Sequence, residues 1–166
     1  MKSLELKWGL IIGGAYLVWL YLSYFLGMHT SGILWIQVMS LISILITLVG
    51  FVFGLRAVQR AAPETTWLEG VKSGIIMAGI TAAIAVLTQV GYFTVIHPEF
   101  PVYMTEETRY VLTTPEMTEE EAREYFEGVR KTFSMKSYML QAGVGMFFFG
   151  VVFSTIIMAF LRRLAK

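Results

Sequence analysis

The sequence predicts an all-α polytopic membrane protein with four transmembrane helices, because four long apolar stretches contain no charged residue. These stretches are residues 8–27, 32–55, 73–96 and 138–161. Each provides the ~20 residues with which a helix crosses a hydrocarbon core of ~30 Å. The composition agrees, since 56% of the residues are hydrophobic and the mean hydropathy of +0.65 exceeds that of ordinary soluble domains.

The chain is predicted to form a single membrane domain, residues 1–166, with an insertion at residues 97–137 between the third and fourth spans. The insertion has about forty residues, which is near the lower limit for independent folding. We expect the third span to end before Pro98 and Pro101, because proline does not continue a helix. Loose alternation over residues 102–114 then indicates a short β-hairpin.

An amphipathic helix is predicted at about residues 118–134 of the insertion. It begins with a capping box, in which Thr118 and Glu121 satisfy each other's backbone amides. Its apolar face, at helical spacing, provides candidate partner contacts: Tyr125, Phe126, Val129 and Phe133. Because helices that bind lipid surfaces usually carry Lys and Arg, this glutamate-rich helix is expected to contact protein. It would cover either the mouth of its own bundle or a partner.

Loop charges predict which side of the membrane each segment faces. The two termini and residues 56–72 together carry eight basic and three acidic residues, whereas residues 97–137 carry five basic residues and nine glutamates. By the positive-inside rule, the termini are cytoplasmic and the insertion is extracytoplasmic. We therefore expect a multi-pass protein of the bacterial inner (cytoplasmic) membrane.

Small residues spaced four apart form strips that let helices approach closely in a membrane. Such strips are Gly9 and Gly13 on the first helix, Gly50 and Gly54 on the second, and Gly74, Ala78 and Ala82 on the third. The first two strips lie at the same end of their helices, so they could face one another. The strips favour packing within a four-helix bundle, with a homodimer face as the alternative.

Three glutamines, Gln37, Gln89 and Gln141, each lie a few residues inside the outer boundary of a span. They predict a polar layer of interhelical hydrogen bonds, worth ~0.6 kcal/mol each. The alternative is a polar vestibule that opens outward. Since no ionisable residue lies mid-membrane and no proline interrupts a span, proton-coupled transport of the usual kind is disfavoured.

No residue pattern indicates catalysis. The sequence lacks a nucleophile elbow, a phosphate-binding loop and a paired-histidine zinc motif. His29, His97 and Glu99 have the chemistry of metal ligands, but they come from different loops without paired spacing. We expect no enzyme activity, no cofactor and no metal. Because basic residues mainly border the membrane, we expect no nucleic-acid partner.

Four short motifs along most of the chain are similar to those of a known family. They are Phe53-Gly54-Leu55-Arg56, Glu69-Gly70-Val71-Lys72-Ser73-Gly74, Ile96-His97-Pro98-Glu99-Phe100, and Gly150 to Ser154 followed by Ala159 and Arg162-Arg163. The chain thereby resembles the bacterial membrane proteins grouped as domain of unknown function 4199. The resemblance implies four spans with an outward insertion before the last, and it implies no activity.

The sequence therefore favours a non-enzymatic membrane protein that acts through helix–helix and outer-surface contacts. We expect an accessory or assembly subunit of a larger membrane complex. Its partners would be the lipid bilayer and either other membrane subunits or a second copy of itself. The alternative is a homo-oligomeric channel or small-solute transporter, with the three glutamines lining its path.

Overall fold

A computed structural model describes residues 2–111 and 117–164, and these residues form helices without any strand. The α-helices are α1 (Lys2–Phe25), α2 (Ile33–Ala61), α3 (Trp67–Gly91), α4 (Phe100–Val111), α5 (Glu119–Thr132), α6 (Met135–Leu140) and α7 (Met146–Leu164). A 3-10 turn at Met28–Thr30 joins α1 to α2. Two π-helical segments continue the spans, Tyr92–Ile96 after α3 and Gln141–Gly145 between α6 and α7.

Four helical stretches are long and apolar enough to cross a membrane, which confirms the predicted fold class. They are Ser3–Phe25, Ile33–Ala61, Trp67–Ile96 and Met135–Arg162. Each span is longer than the corresponding charge-free run because the helix continues into polar sequence. The third span begins after Thr66, where a capping box with Glu69 satisfies the first backbone amides.

The central helix of the bundle is α3, which packs against both α1 and α7, while α2 packs against α1 and α7. We call the half of the bundle that holds Lys2 and Leu164 the terminal half, and the half that adjoins α4 and α5 the insertion half. The terminal half contains a close-packed apolar core contributed by all four spans. Its fully buried side chains include Ile12, Phe51, Leu55, Met77 and Met158.

The glycine strip of α1 faces α3. A Cβ atom placed on Gly9 would lie 2.7 Å from the Ile80 Cβ atom, and one on Gly13 would lie 2.8 Å from the Ile84 Cβ atom. Both distances are shorter than van der Waals contact, so the two glycines make room for branched side chains of α3. These contacts bring the backbones of α1 and α3 close together.

The glycine strip of α2 faces α1, but it does not meet the glycines of α1. Gly50 lies against Ile12, and Gly54 lies against Trp8 and Met77. The prediction that the two strips face one another is therefore wrong. Two opposed glycine strips would leave a void, whereas a large side chain over each glycine gives the dense packing found in protein interiors.

The strip on α3 faces α7. Gly74 lies against the side chain of Ser154, and Ala78 lies against Gly150. Ala78 and Ala82 are both buried. Small residues on both helices therefore set the close approach of α3 and α7.

The insertion begins with helix α4 where the sequence predicted a β-hairpin, so that prediction is wrong for residues 102–111; residues 112–114 lie outside the described residues. Pro101 lies in the first turn, where its missing N–H costs no helical hydrogen bond. Phe100 and Met104, one turn apart, are both buried. Helical spacing of apolar side chains therefore outweighs the loose alternation of the same segment.

Helix α5 follows Thr118, whose hydroxyl accepts from the Glu121 amide while the Glu121 carboxylate accepts from the Thr118 amide. The capping box is therefore present where the sequence places it. The helix packs along α4 and touches α6 at its end. The Arg109 guanidinium on α4 lies 4.6 Å from the ring centre of Phe126, which ties the two helices together.

Substitution of Gly74 by alanine should destabilise the bundle by about 1–3 kcal/mol, because the added methyl group overlaps Ser154. Gly79→Ala on the same helix is the matched control, since no described atom of a neighbour lies within 4 Å of its Cβ position. Thermal unfolding in detergent, followed by circular dichroism, compares the two variants. Equal unfolding temperatures would contradict the close α3–α7 contact.

Candidate functional site

A cavity of about 190 Å³ lies in the insertion half of the bundle, between residues of all four spans. We call it the glutamine cavity. Its polar lining residues are Tyr16, His29, Ser40, Ser43, Gln89, Tyr92, Tyr138 and Gln141. The remaining wall is apolar, so the cavity combines hydrogen-bonding groups with hydrophobic surface, as binding sites for small molecules do.

Both π-helical segments border the glutamine cavity. Tyr92 is the first residue of one segment, Gln141 is the first residue of the other, and both line the cavity. Short π-helical segments inside α-helices are frequent at functional sites. No periodic pattern in the sequence predicts either segment. The one local signal is glycine beside or within them, at Gly91 and Gly143.

The structure brings Gln89 and Gln141 to the cavity and places Gln37 on the exposed side of α2. The Gln89 side chain is only 5% exposed, and its Nε2 donates to the Tyr16 hydroxyl at 2.8 Å. Its buried Oε1 has no hydrogen-bond partner within the described residues. Gln141 Nε2 donates to the Ser137 hydroxyl at 2.9 Å. The predicted layer of three glutamines is therefore reduced to two around one cavity.

A chain of hydrogen bonds runs beside the cavity. His29 Nε2 lies 2.9 Å from Ser23 Oγ, and His29 Nδ1 bonds to the Tyr92 hydroxyl. The same hydroxyl lies 3.1 Å from His97 Nδ1. The Ser23 hydroxyl also lies 2.8 Å from the Leu20 carbonyl, which only accepts.

The Leu20 carbonyl sets a direction for this chain. When Ser23 donates to it, His29 Nε2–H donates to Ser23. His29 Nδ1 then accepts from the Tyr92 hydroxyl, and His97 Nδ1–H donates to Tyr92. Every hydrogen bond in this series thus has one donor and one acceptor while both histidines are neutral.

Burial keeps the two histidines uncharged. His29 is 2% exposed, and burial lowers its pKa to about 4, with a smaller contribution from His97. Burial also lowers the pKa of His97, and the Glu99 carboxylate partly opposes that shift. At neutral pH, both imidazoles therefore act as hydrogen-bonding groups rather than as charges.

His29 and His97 are connected by hydrogen bonds to the Tyr92 hydroxyl and not by a shared metal site. Within residues 2–111 and 117–164, no group of three or more metal-ligating side chains is close enough to hold an ion. His29 and His97 are far apart in the sequence, which is why their spacing gave no sign of this contact. The signal available was that both follow spans that end on the same side of the bundle.

The predicted partner-contact residues of α5 divide into two groups. Phe126 lies under Arg109, and Phe133 packs on Phe100 with ring centres 6.3 Å apart. Val129 is half-buried, and Tyr125 is exposed. An open cleft of about 570 Å³ lies between α4 and α5. We call it the α4–α5 cleft, and its ionisable lining residues are Glu106, Arg109, Glu119, Arg123, Glu127 and Arg130.

A family model described as "Protein of unknown function (DUF4199)" matches residues 7–163 of the chain. The chain belongs to this family. No curated protein and no solved structure matches the chain significantly. Membership of this family therefore assigns no activity to the DUF4199 protein.

The DUF4199 protein also buries one of the acidic residues that border its first apolar stretch. Glu5 is buried on α1, and its Oε1 accepts a 2.7 Å hydrogen bond from the Ser73 hydroxyl on α3. Its Oε2 is buried without a partner among the residues described. Since Glu5 lies in the terminal half, it is separate from the glutamine cavity.

The stability of the DUF4199 protein should fall as the pH falls from about 6.5 towards 4. The unfolded His29 takes up a proton near its ordinary pKa of 6.5, whereas the folded residue resists protonation down to about 4. The unfolded state therefore binds more protons, at a cost of up to about 1.4 kcal/mol per pH unit. Unfolding temperatures in detergent should show a smaller pH dependence for His29→Gln than for the wild type. Equal slopes between pH 6.5 and 5 would contradict a neutral, buried His29.

Proposed function

We propose that this protein is a non-enzymatic accessory or assembly subunit of a larger complex in the bacterial inner membrane. It would act through contacts between helices and through its outer surface. The observation that carries the proposal is the α4–α5 pair, which lies outside the four spans and presents an open cleft and exposed aromatic side chains.

The α4–α5 cleft offers a polar surface with both signs of charge. Arg123 and Glu127 form an exposed ion pair at 3.7 Å, and such pairs contribute little to stability. Apart from Arg109, which contacts the Phe126 ring, the charges along this cleft therefore contribute little to holding the fold together. They support contact with a partner segment that carries both acidic and basic groups, since complementary charges orient and select partners.

Two exposed tyrosines on the same pair of helices provide apolar anchors. Tyr110 on α4 is 84% exposed, and Tyr125 on α5 is 40% exposed. Tyrosine is enriched at the centres of protein interfaces, because its ring buries a large area and its hydroxyl still finds a polar partner. Together with the cleft, the two side chains make the contact surface that we propose.

The spans supply the second kind of contact. Most residues in their apolar windows are not buried within the chain, and exposed aromatic side chains such as Phe148 and Phe160 lie on α7. This surface contacts the lipid bilayer. We propose that part of it also contacts helices of neighbouring subunits.

A homo-oligomeric channel or small-solute transporter is the second candidate, and the glutamine cavity is the observation that favours it. The polar groups of Gln89 and Gln141 line a cavity in the insertion half. In the terminal half, however, Phe51, Leu55 and Met77 are fully buried in an apolar core. A path through one copy would have to cross that core, so we rank transport second.

The proposed orientation places α5 outside the cell membrane and the α2–α3 loop in the cytoplasm, in accordance with the positive-inside rule. The absence of cysteine makes a direct test possible. In intact inner-membrane vesicles of right-side-out orientation, a membrane-impermeant maleimide should label Glu120→Cys and leave Glu64→Cys unlabelled. Both positions are exposed in the fold, so permeabilised vesicles serve as the control for both. The reverse pattern would overturn the orientation.

On a native gel after mild detergent extraction, the wild type should migrate in a large assembly with partner chains in fixed stoichiometry. Tyr110→Glu with Tyr125→Glu should release it, because two charges would replace the proposed anchors. Tyr110→Phe with Tyr125→Phe is the matched control and should stay bound. Mass spectrometry of co-migrating chains identifies the partners. Migration of the wild type alone, as a small oligomer, would contradict a subunit role and favour the transport candidate.

A further inference from the structure

We propose that the glutamine cavity binds the head ring of an isoprenoid quinone or quinol. This inference goes beyond the subunit role and rests on the cavity alone. The volume of about 190 Å³ is several times the roughly 30 Å³ that one water occupies in the liquid. It also slightly exceeds the ~150 Å³ of a protein cavity known to take up benzene. A single substituted six-membered ring is therefore the size of occupant that the space fits.

The amide oxygen of Gln89, which has no partner among the residues that the structure describes, points to a ligand with a polar group. A buried carbonyl without a donor is unfavourable, and a ligand hydroxyl that donates to it would remove that cost. The Tyr16 hydroxyl, which accepts from Gln89, can donate its own proton to a ligand oxygen. The pair presents one acceptor and one donor whichever way the amide is turned. A quinol hydroxyl uses the acceptor, and a quinone carbonyl uses the donor.

The walls select an uncharged and planar occupant. The described residues that line the cavity include no Asp, Glu, Lys or Arg. Burial of a charged headgroup there would be uncompensated, which excludes phospholipids and fatty acid anions. Aromatic rings of Tyr16, Tyr92, Phe100 and Tyr138 line the space. Such rings favour stacked or edge-to-face contact with another ring, and glycerides have none to offer.

A second cavity gives the tail of the ligand a way out to the lipid. It measures about 140 Å³, shares Ser43, Gln141 and Ala142 with the glutamine cavity, and continues between α2 and α7. Its further lining includes Ile44 and Phe149, which are both partly exposed on the surface of the spans. This apolar passage suits one isoprenoid chain, since it lies at the depth of the hydrocarbon core.

The test measures quinone bound to the protein. The wild type, extracted in mild detergent from a host with a quinone pool, should retain close to one quinone per chain after organic extraction and mass spectrometry. Ala142→Phe, which fills the junction of the two cavities, should retain no more than a detergent blank. Gln89→Leu should weaken binding about three- to tenfold, the cost of one buried hydrogen bond. Gln37→Leu makes the same change outside the cavity and should bind as the wild type does.

If a variant folds poorly, a titration of the wild type with quinone still tests the proposal. Decylubiquinone added to delipidated wild type should quench its tryptophan fluorescence, because one of the four tryptophans, Trp19, donates from Nε1 to the carbonyl of the cavity residue Met39. Quenching should saturate for the wild type and Gln37→Leu, and rise only linearly for Ala142→Phe. Equal quinone in Ala142→Phe and wild type would overturn the proposal, as would another lipid in its place or water alone. Quinone retained in the Tyr110→Glu and Tyr125→Glu variant would separate this site from the subunit role.

Discussion

The close packing of α3 against α1 and α7 is the constraint on which the rest of the structure depends. Lipid tails are as apolar as the helix surfaces, so the hydrophobic effect does little to hold spans together in a bilayer. Contacts between well-fitted surfaces must hold them instead. Gly74 and Ala78 let α7 approach α3 closely, and Gly9 and Gly13 let α3 side chains pack onto α1. The terminal half is consequently dense and mostly apolar.

The insertion half is built differently, and the glutamine cavity follows from that difference. Beyond Ala85, the inward positions of the third span change from mostly small residues to Thr88, Gln89 and Tyr92. Larger polar side chains keep the neighbouring helices apart and require partners of their own. Tyr16 and His29 supply some of these partners, and the space that remains is lined by polar groups. One helix thus specifies a tight end and an open end of the same bundle.

The sequence was informative about properties that are local and less informative about rotation of helices around their axes. Hydropathy located the four spans, and the capping box located α5, because each signal resides in neighbouring residues. A span that is apolar all round carries no periodic signal for the face that turns inward. For this reason, the glycine strips of α1 and α2 were paired wrongly and Gln37 was grouped with Gln89. The contact between His29 and His97 through Tyr92 likewise depends on how distant segments meet.

Helix α4 connects the two surfaces on which the proposals rest. Its Phe100 lines the glutamine cavity, while its Arg109 lines the α4–α5 cleft. A ligand ring in the cavity and a protein segment in the cleft would therefore contact the same short helix. If a ligand in the cavity shifts α4 and thereby changes the affinity of the cleft for its partner, the partner must change the affinity of the cavity for the ligand by the same factor. Coupling between two binding sites is reciprocal in this sense. Since Phe100 and Met104 fix α4 to the bundle through a buried aromatic cluster, such a shift would have to repack that cluster.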